Sequence, residues 1–112
     1  MNKAVGISVA FALLVSGALA APQMTVYAKT ADGTGNIDGV DVDLIGDDGS
    51  TVASESSEPD ENFVNFFESD GFTPGKTYTI TAEERDGGRS AEVTRKLTEE
   101  KPSVFLSLSG AG

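Results

Sequence analysis

Oxygen-bearing side chains gather in the glycine-rich segments of this sequence, which makes calcium the first ligand to consider. Asp32, Asn36 and Asp38 share one such segment, and Asp41 follows it. Calcium takes about six to eight oxygen ligands from a flexible loop. The spacing does not match the EF-hand pattern, because Ile45 falls where the closing glutamate is required. Asp, Asn and Gly also favour turns for conformational reasons, so the sequence predicts turns and no bound metal or cofactor, with calcium binding as the lesser alternative. The same interpretation applies to the clusters at 47–49 and 60–62.

Residues that could catalyse a reaction are few. The sequence has no Cys and no His, so it cannot form a Ser-His-Asp triad, a thiol nucleophile or a zinc site of ordinary composition. Carboxylates can act as general acid and base, and the candidates are the adjacent pairs 83–84 and 99–100. Neighbouring side chains in a strand point to opposite faces, so each pair would diverge. We therefore predict a protein that is not an enzyme and has no catalytic residues.

Phenylalanine is the other residue type with a possible binding role. The segment 63–67 is apolar at both parities, so a strand there is either buried on both sides or contains a bulge. An exposed ring in it could stack on a sugar or anchor a partner. We predict a core role for most of these rings, with Phe66 or Phe67 as the contact residue if a ligand binds. The rings assigned mainly to the core are Phe63, Phe66, Phe67, Phe72 and Phe105.

The elements that must position these residues are predicted to be strands. Pro74 and Gly75 form a turn dipeptide, because proline fixes its own φ and glycine accepts a positive one. After it, Tyr78, Ile80 and Ala82 alternate with threonines, and alternation with a period of two indicates a half-buried strand.

Further alternating segments extend this pattern along the chain. Val40, Val42 and Leu44 are predicted to face the core, with the two aspartates between them in water. Turn signals separate the segments, and no helix is predicted after residue 20. The sequence therefore predicts an all-β fold, a single small seven-stranded antiparallel β-sandwich. The predicted strands are 24–30, 40–44, 50–54, 63–67, 77–82, 90–97 and 103–108.

The N-terminal segment has the layout of a secretory signal peptide. Lys3 supplies a positive charge, 4–15 is an uncharged apolar run, and Ala18-Leu19-Ala20 is a small-residue cleavage site. The run is shorter than the ~20 residues that a membrane-spanning helix needs. We expect cleavage after Ala20 and a periplasmic or extracellular protein, with an uncleaved anchor or a filament-packing helix as the alternative. The predicted limits are 1–20 for the helical signal peptide, 21–23 for a lead-in, 24–109 for the sandwich and 110–112 for a frayed tail.

The segments that carry a family resemblance are the first strand through Lys29, 39–44 (GVDVDL), 48–49 (DG), 72–80 (FTPGKTYTI) and 104–108. In these segments the chain resembles the small prealbumin-like modules, namely the carboxypeptidase regulatory-like domain and the Cna-B repeat of bacterial surface proteins. The resemblance implies a sandwich of the Ig-like or prealbumin-like kind. Fibronectin type III modules, which share a Pro-Gly-x-x-Tyr strand entry, are the second choice. The resemblance implies a non-catalytic spacer, adhesin part, accessory domain or sugar-binding domain.

Many Cna-B modules carry an isopeptide bond from a first-strand Lys to a last-strand Asn, assisted by a Glu. The resemblance would assign Lys29 as the amine and Glu83 or Glu84 as the acid. The last strand, at 103–109, contains no Asn or Asp. We therefore expect no such bond.

The formal net charge is −10, which disfavours nucleic acid and anionic membranes because phosphates would repel the domain. The sequence predicts no nucleic-acid partner and no membrane contact after signal cleavage. We expect an exported module that acts in protein–protein interaction or in surface or periplasmic assembly, with a protein partner or self-assembly through exposed strand edges. A small-ligand or carbohydrate-binding accessory domain is the alternative.

Overall fold

The computed structural model describes residues 21–110. The predicted signal peptide therefore lies outside the described residues, as does most of the predicted tail. None of the helices in the described part is long and apolar enough to cross a membrane. A short 3₁₀ helix, Glu68–Asp70, is the only helical turn among residues 21–110. The strands are β1 (Gln23–Lys29), β2 (Val40–Ile45), β3 (Thr51–Ser56), β4 (Phe63–Phe67), β5 (Lys76–Glu84), β6 (Ser90–Leu97) and β7 (Ser103–Ser107).

The strands form two sheets, as predicted for an all-β sandwich. The three-stranded sheet has the order β4-β1-β7, and the four-stranded sheet has the order β3-β2-β5-β6. Each of the seven predicted segments overlaps one strand, with ends that differ by at most two residues. The prediction that all strands are antiparallel is wrong, because β1 and β7 run parallel, with Tyr27 opposite Phe105. Parallel neighbours need a long crossover, and here nearly the whole domain separates the first strand from the last.

Alternation along each strand builds one core between the sheets. Val40, Val42 and Leu44 are buried as predicted, and so are Tyr78 and Ile80. Strand β6 is less covered: of its inward positions only Leu97 is buried, because β6 is an edge strand. The remaining buried apolar residues are Met24, Val26, Ala28, Ile37, Val64, Phe66, Phe72, Ala82, Val104, Leu106 and Leu108.

The Pro-Gly turn before β5 is also formed as predicted. Gly75 has φ of +96°, a conformation that glycine adopts without steric cost. Its N–H donates to the Leu97 carbonyl at 2.7 Å. The buried Tyr78 hydroxyl accepts a hydrogen bond from the Thr73 N–H at 2.9 Å, which fixes the incoming loop against the strand.

Candidate binding face

An aromatic row crosses the outer face of the three-stranded sheet. Inward positions on β1 are even-numbered, so Tyr27 points outward. It lies opposite Phe63 of β4 and opposite Phe105 of β7. The three residues therefore occupy one level of the sheet, one on each strand. We call Phe105, Tyr27 and Phe63 the aromatic row.

The rings of the row stand on edge. Those of Tyr27 and Phe105 are stacked, with centroids 4.7 Å apart and planes 10° from parallel. That separation is close to the spacing of about 4.8 Å between strands. The face of each ring is therefore directed toward the neighbouring strand, and the ring edges point away from the sheet. Phe63 is tilted by 46° at 6.1 Å from Tyr27. Phe105 is 58% exposed. The row therefore exposes ring edges to a partner, and it does not expose a flat ring face.

Of the phenylalanines that were assigned mainly to the core, some are buried and others are exposed. Phe66 and Phe72 are fully buried, so Phe66 cannot contact a ligand, and of the two alternatives predicted for that role only Phe67 remains. Phe67 is 45% exposed at the end of β4 and could meet a ligand. Sequence reasoning assigned Phe105 to the core and missed Tyr27. Their shared parity on two alternating strands was a usable signal, but it needed the pairing of β1 with β7.

Polar side chains flank the row on the same face. The Oδ1 atom of Asn65 accepts hydrogen bonds from the Thr25 hydroxyl at 2.7 Å and from the Gln23 amide at 3.2 Å. On the other side of the row, the Lys29 amine donates to the Asn36 Oδ1 at 2.8 Å in an exposed contact. On this face the aromatic row thus lies between two strips of polar side chains.

The residues that the Cna-B resemblance would assign to an isopeptide bond are not brought together. Lys29 contacts Asn36, whereas Glu83 and Glu84 lie on β5 of the four-stranded sheet. Glu84 instead binds Arg89 through two hydrogen bonds of 2.8 and 3.0 Å. The Arg89 guanidinium holds the pKa of Glu84 below its ordinary value.

The aspartates considered for calcium act within their own loops. Asp32 Oδ1 accepts hydrogen bonds from the hydroxyls of Thr30 and Thr34 and from the Thr34 N–H. These bonds lower the Asp32 pKa from 3.8 to about 2. Asp48 binds the N–H and hydroxyl of Ser50 in the same way. Across residues 21–110, no three acidic side chains come together as a metal site would require.

The two open flanks of the sandwich differ in charge. A groove of about 210 Å³ lies where the edges of β3 and β4 separate, and Glu55, Glu58 and Glu61 line it without any cation. A groove of about 220 Å³ lies on the opposite flank, between the edges of β6 and β7. Arg95 and Lys96 line this second groove, together with Glu99. We call these the acidic flank and the basic flank.

Comparisons with known proteins support the fold and no more. No protein-family model matches the chain, and no curated protein matches it. Among solved structures, one titled "Crystal Structure of S.CueP" matches with a TM-score of 0.55 and 9% sequence identity. The match covers 80% of this chain and 63% of that protein, so the chain spans less than two thirds of its length. At this identity, the match shows the fold alone.

Proposed function

We propose that the protein is an exported, non-enzymatic β-sandwich module that acts in protein–protein interaction, with the aromatic row as its contact surface. The single observation that carries the proposal is the row itself: three aromatic side chains are aligned on one outer face, and Phe105 is more than half exposed. Aromatic residues are enriched at protein interfaces because they bury a large area with few rotatable bonds.

Three further points agree with this proposal. The rings present edges, which can insert between side chains of a partner, whereas a sugar stacks on a ring face. The N-terminal pattern of Lys3, an apolar run and Ala18-Leu19-Ala20 favours export to the periplasm or the cell exterior. The resemblance to carboxypeptidase regulatory-like and Cna-B modules is consistent with a non-catalytic role.

Site-specific photo-crosslinking in the native host tests the proposal. A photoreactive phenylalanine analogue at position 105 is expected to give a covalent adduct with a protein. The same analogue at Thr79, on the outer face of the four-stranded sheet, is the control and should give none. Absence of any protein adduct from position 105, or equal adducts from both positions, would contradict the proposal.

A carbohydrate-binding module is the second candidate. The polar strip formed by Gln23, Thr25 and Asn65 is favourable to it, since sugar hydroxyls need such partners beside an aromatic surface. A panel of glycans that raises the melting temperature of the wild-type protein, and not that of Phe105→Ser, would favour this candidate over the first.

A further inference from the structure

The free edge of β4 carries backbone groups without a partner in the described structure. The Ala28 N–H donates to the Asn62 carbonyl, and the Glu68 N–H donates to the Pro22 carbonyl. Even-numbered residues of β4 therefore bond to β1, and odd-numbered residues point their N–H and C=O groups away from the sheet. At one end, the Phe67 N–H is satisfied by Asp70 at 2.8 Å. Phe63 and Asn65 are left with open donors and acceptors.

The free edge of β7, like that of β4, carries backbone groups without a partner in the described structure. The Leu108 N–H donates to the Lys29 carbonyl, so even-numbered residues of β7 face β1. Odd-numbered residues point outward, and the last of them is closed by the bridge between Ser109 and Ser90. Ser103, Phe105 and Ser107 are therefore open on this edge, as Phe63 and Asn65 are on the other.

The strand directions let one copy continue the sheets of the next. Because β7 is parallel to β1 and β4 is antiparallel to it, the two edges of the three-stranded sheet run in opposite directions. The edges β3 and β6 of the four-stranded sheet also run in opposite directions. A copy displaced sideways thus brings β7 against β4, and β6 against β3, antiparallel in both sheets.

The register also agrees. Phe63, Tyr27 and Phe105 share one level, and Asn65, Thr25 and Ser103 share another. Sideways displacement sets Phe63 opposite Phe105 of the next copy, and Asn65 opposite its Ser103. In both pairs the backbone N–H and C=O groups of each residue point away from their own sheet edge, so each pair can exchange two backbone hydrogen bonds. The free face of Phe105 then meets Phe63, and the aromatic row continues from copy to copy.

Charge favours the same arrangement. Sideways displacement brings the acidic flank (Glu55, Glu58 and Glu61) to the basic flank of the neighbour, where Arg95 and Lys96 outnumber Glu99. Pairing two acidic flanks would set like charges together, which opposes a symmetric dimer through that side.

We infer that a second copy of this chain is the partner, bound head to tail by antiparallel pairing of β4 with β7. The inference rests on the proposed function and deepens it. Head-to-tail contacts repeat without a closing symmetry and produce open chains of subunits unless the rotation between copies closes a ring. In this register only Phe63 and Asn65 of β4 have open backbone groups to pair, so the contact is small and assembly depends on the protein concentration.

Engineered cysteines test the register. The wild-type chain has no Cys, so Asn65→Cys combined with Ser103→Cys introduces the only thiols. Within one chain these positions lie on either side of Thr25, two strand spacings or about 10 Å apart, too far for a disulfide. We expect a ladder of disulfide-linked oligomers on mild oxidation. The register-shifted control, Asn65→Cys with Ser107→Cys, should give a much weaker ladder. Equal ladders, or none from the first variant, would overturn the inference.

Charge reversal tests the flanks in solution. Sedimentation velocity of the purified wild-type protein should show oligomers that grow with concentration. Glu58→Lys with Glu61→Lys should be monomeric, as should Arg95→Glu with Lys96→Glu, because the net charges of the two flanks then have the same sign within each variant. An equimolar mixture of the two variants should recover oligomers through alternating contacts. A mixture that stays monomeric counts against the inference.

The two proposals fail in different ways. If the purified protein is monomeric at every concentration while position 105 still gives adducts with other proteins, the self-association is wrong and the proposed function stands. If position 105 gives no protein adduct in the host, the proposed function fails. Adducts with the mass of two copies support both.

Discussion

Asp32 illustrates at the residue scale how a loop carboxylate is held by its neighbours. The hydroxyl of Thr30 and the N–H and hydroxyl of Thr34 lower its pKa from 3.8 to about 2. Since the folded-state pKa is depressed, the stabilisation is present above the unfolded pKa and is lost as the pH falls through the folded one. We expect the free energy of unfolding to fall less steeply from pH 3.8 to about pH 2 in Asp32→Asn than in the wild type. Urea titrations at each pH measure the two slopes, and equal slopes would contradict the assignment.

The two tyrosines provide a matched pair. The Tyr78 hydroxyl accepts the Thr73 N–H at 2.9 Å, whereas the Tyr27 hydroxyl has no hydrogen bond among residues 21–110. Tyr78→Phe is therefore expected to lower the free energy of unfolding by about 0.5–1.5 kcal/mol. Tyr27→Phe should leave it unchanged. Denaturant unfolding of both variants checks the difference, and equal losses would show that the Thr73 contact contributes nothing.

At the scale of elements, the loop between β3 and β4 is joined to β2 by Ser57, which is 6% exposed. Its hydroxyl accepts the N–H of the fully buried Val40 at 2.9 Å. Ser57→Ala leaves that N–H without a partner, and we expect a loss of about 1–3 kcal/mol in unfolding free energy. Ser54→Ala removes only an exposed hydroxyl bound to Asp43 and should cost much less. A small, equal effect in both variants would mean that water or a backbone shift satisfies Val40.

How far elements can be predicted from sequence is clear from β1 and β7. Their positions and inward faces follow from alternation, because burial of every second side chain leaves its pattern in the residues. Strand direction leaves no such pattern, so the parallel pair was predicted wrongly. Tyr27 and Phe105 were consequently not seen as neighbours. Their outward parity could be read from each strand separately, but a binding face exists only once the strands are paired.

At the scale of the whole molecule, the parallel pair determines what the edges can do. An all-antiparallel sheet of three strands would have edges that run in the same direction. Here β4 and β7 run in opposite directions, so sideways addition of a second copy is antiparallel. The opposite directions of the two edges therefore support the self-association that we infer. Strand direction leaves no pattern in the local sequence, so this match between the edges could not be predicted from it.

The net charge of −10 places many like charges on a small domain. Among the described residues only two ion pairs provide attraction against this repulsion, Arg85 with Asp41 and Arg89 with Glu84. Self-repulsion opposes a compact state of high charge, and added salt screens it over a Debye length of about 10 Å at 0.1 M. We expect the melting temperature of the dilute, monomeric protein to rise with NaCl. Glu99→Gln with Glu100→Gln removes two exposed charges and should flatten that rise. A melting temperature that falls with salt would mean that attraction in the two ion pairs outweighs the repulsion, and the prediction would then be wrong.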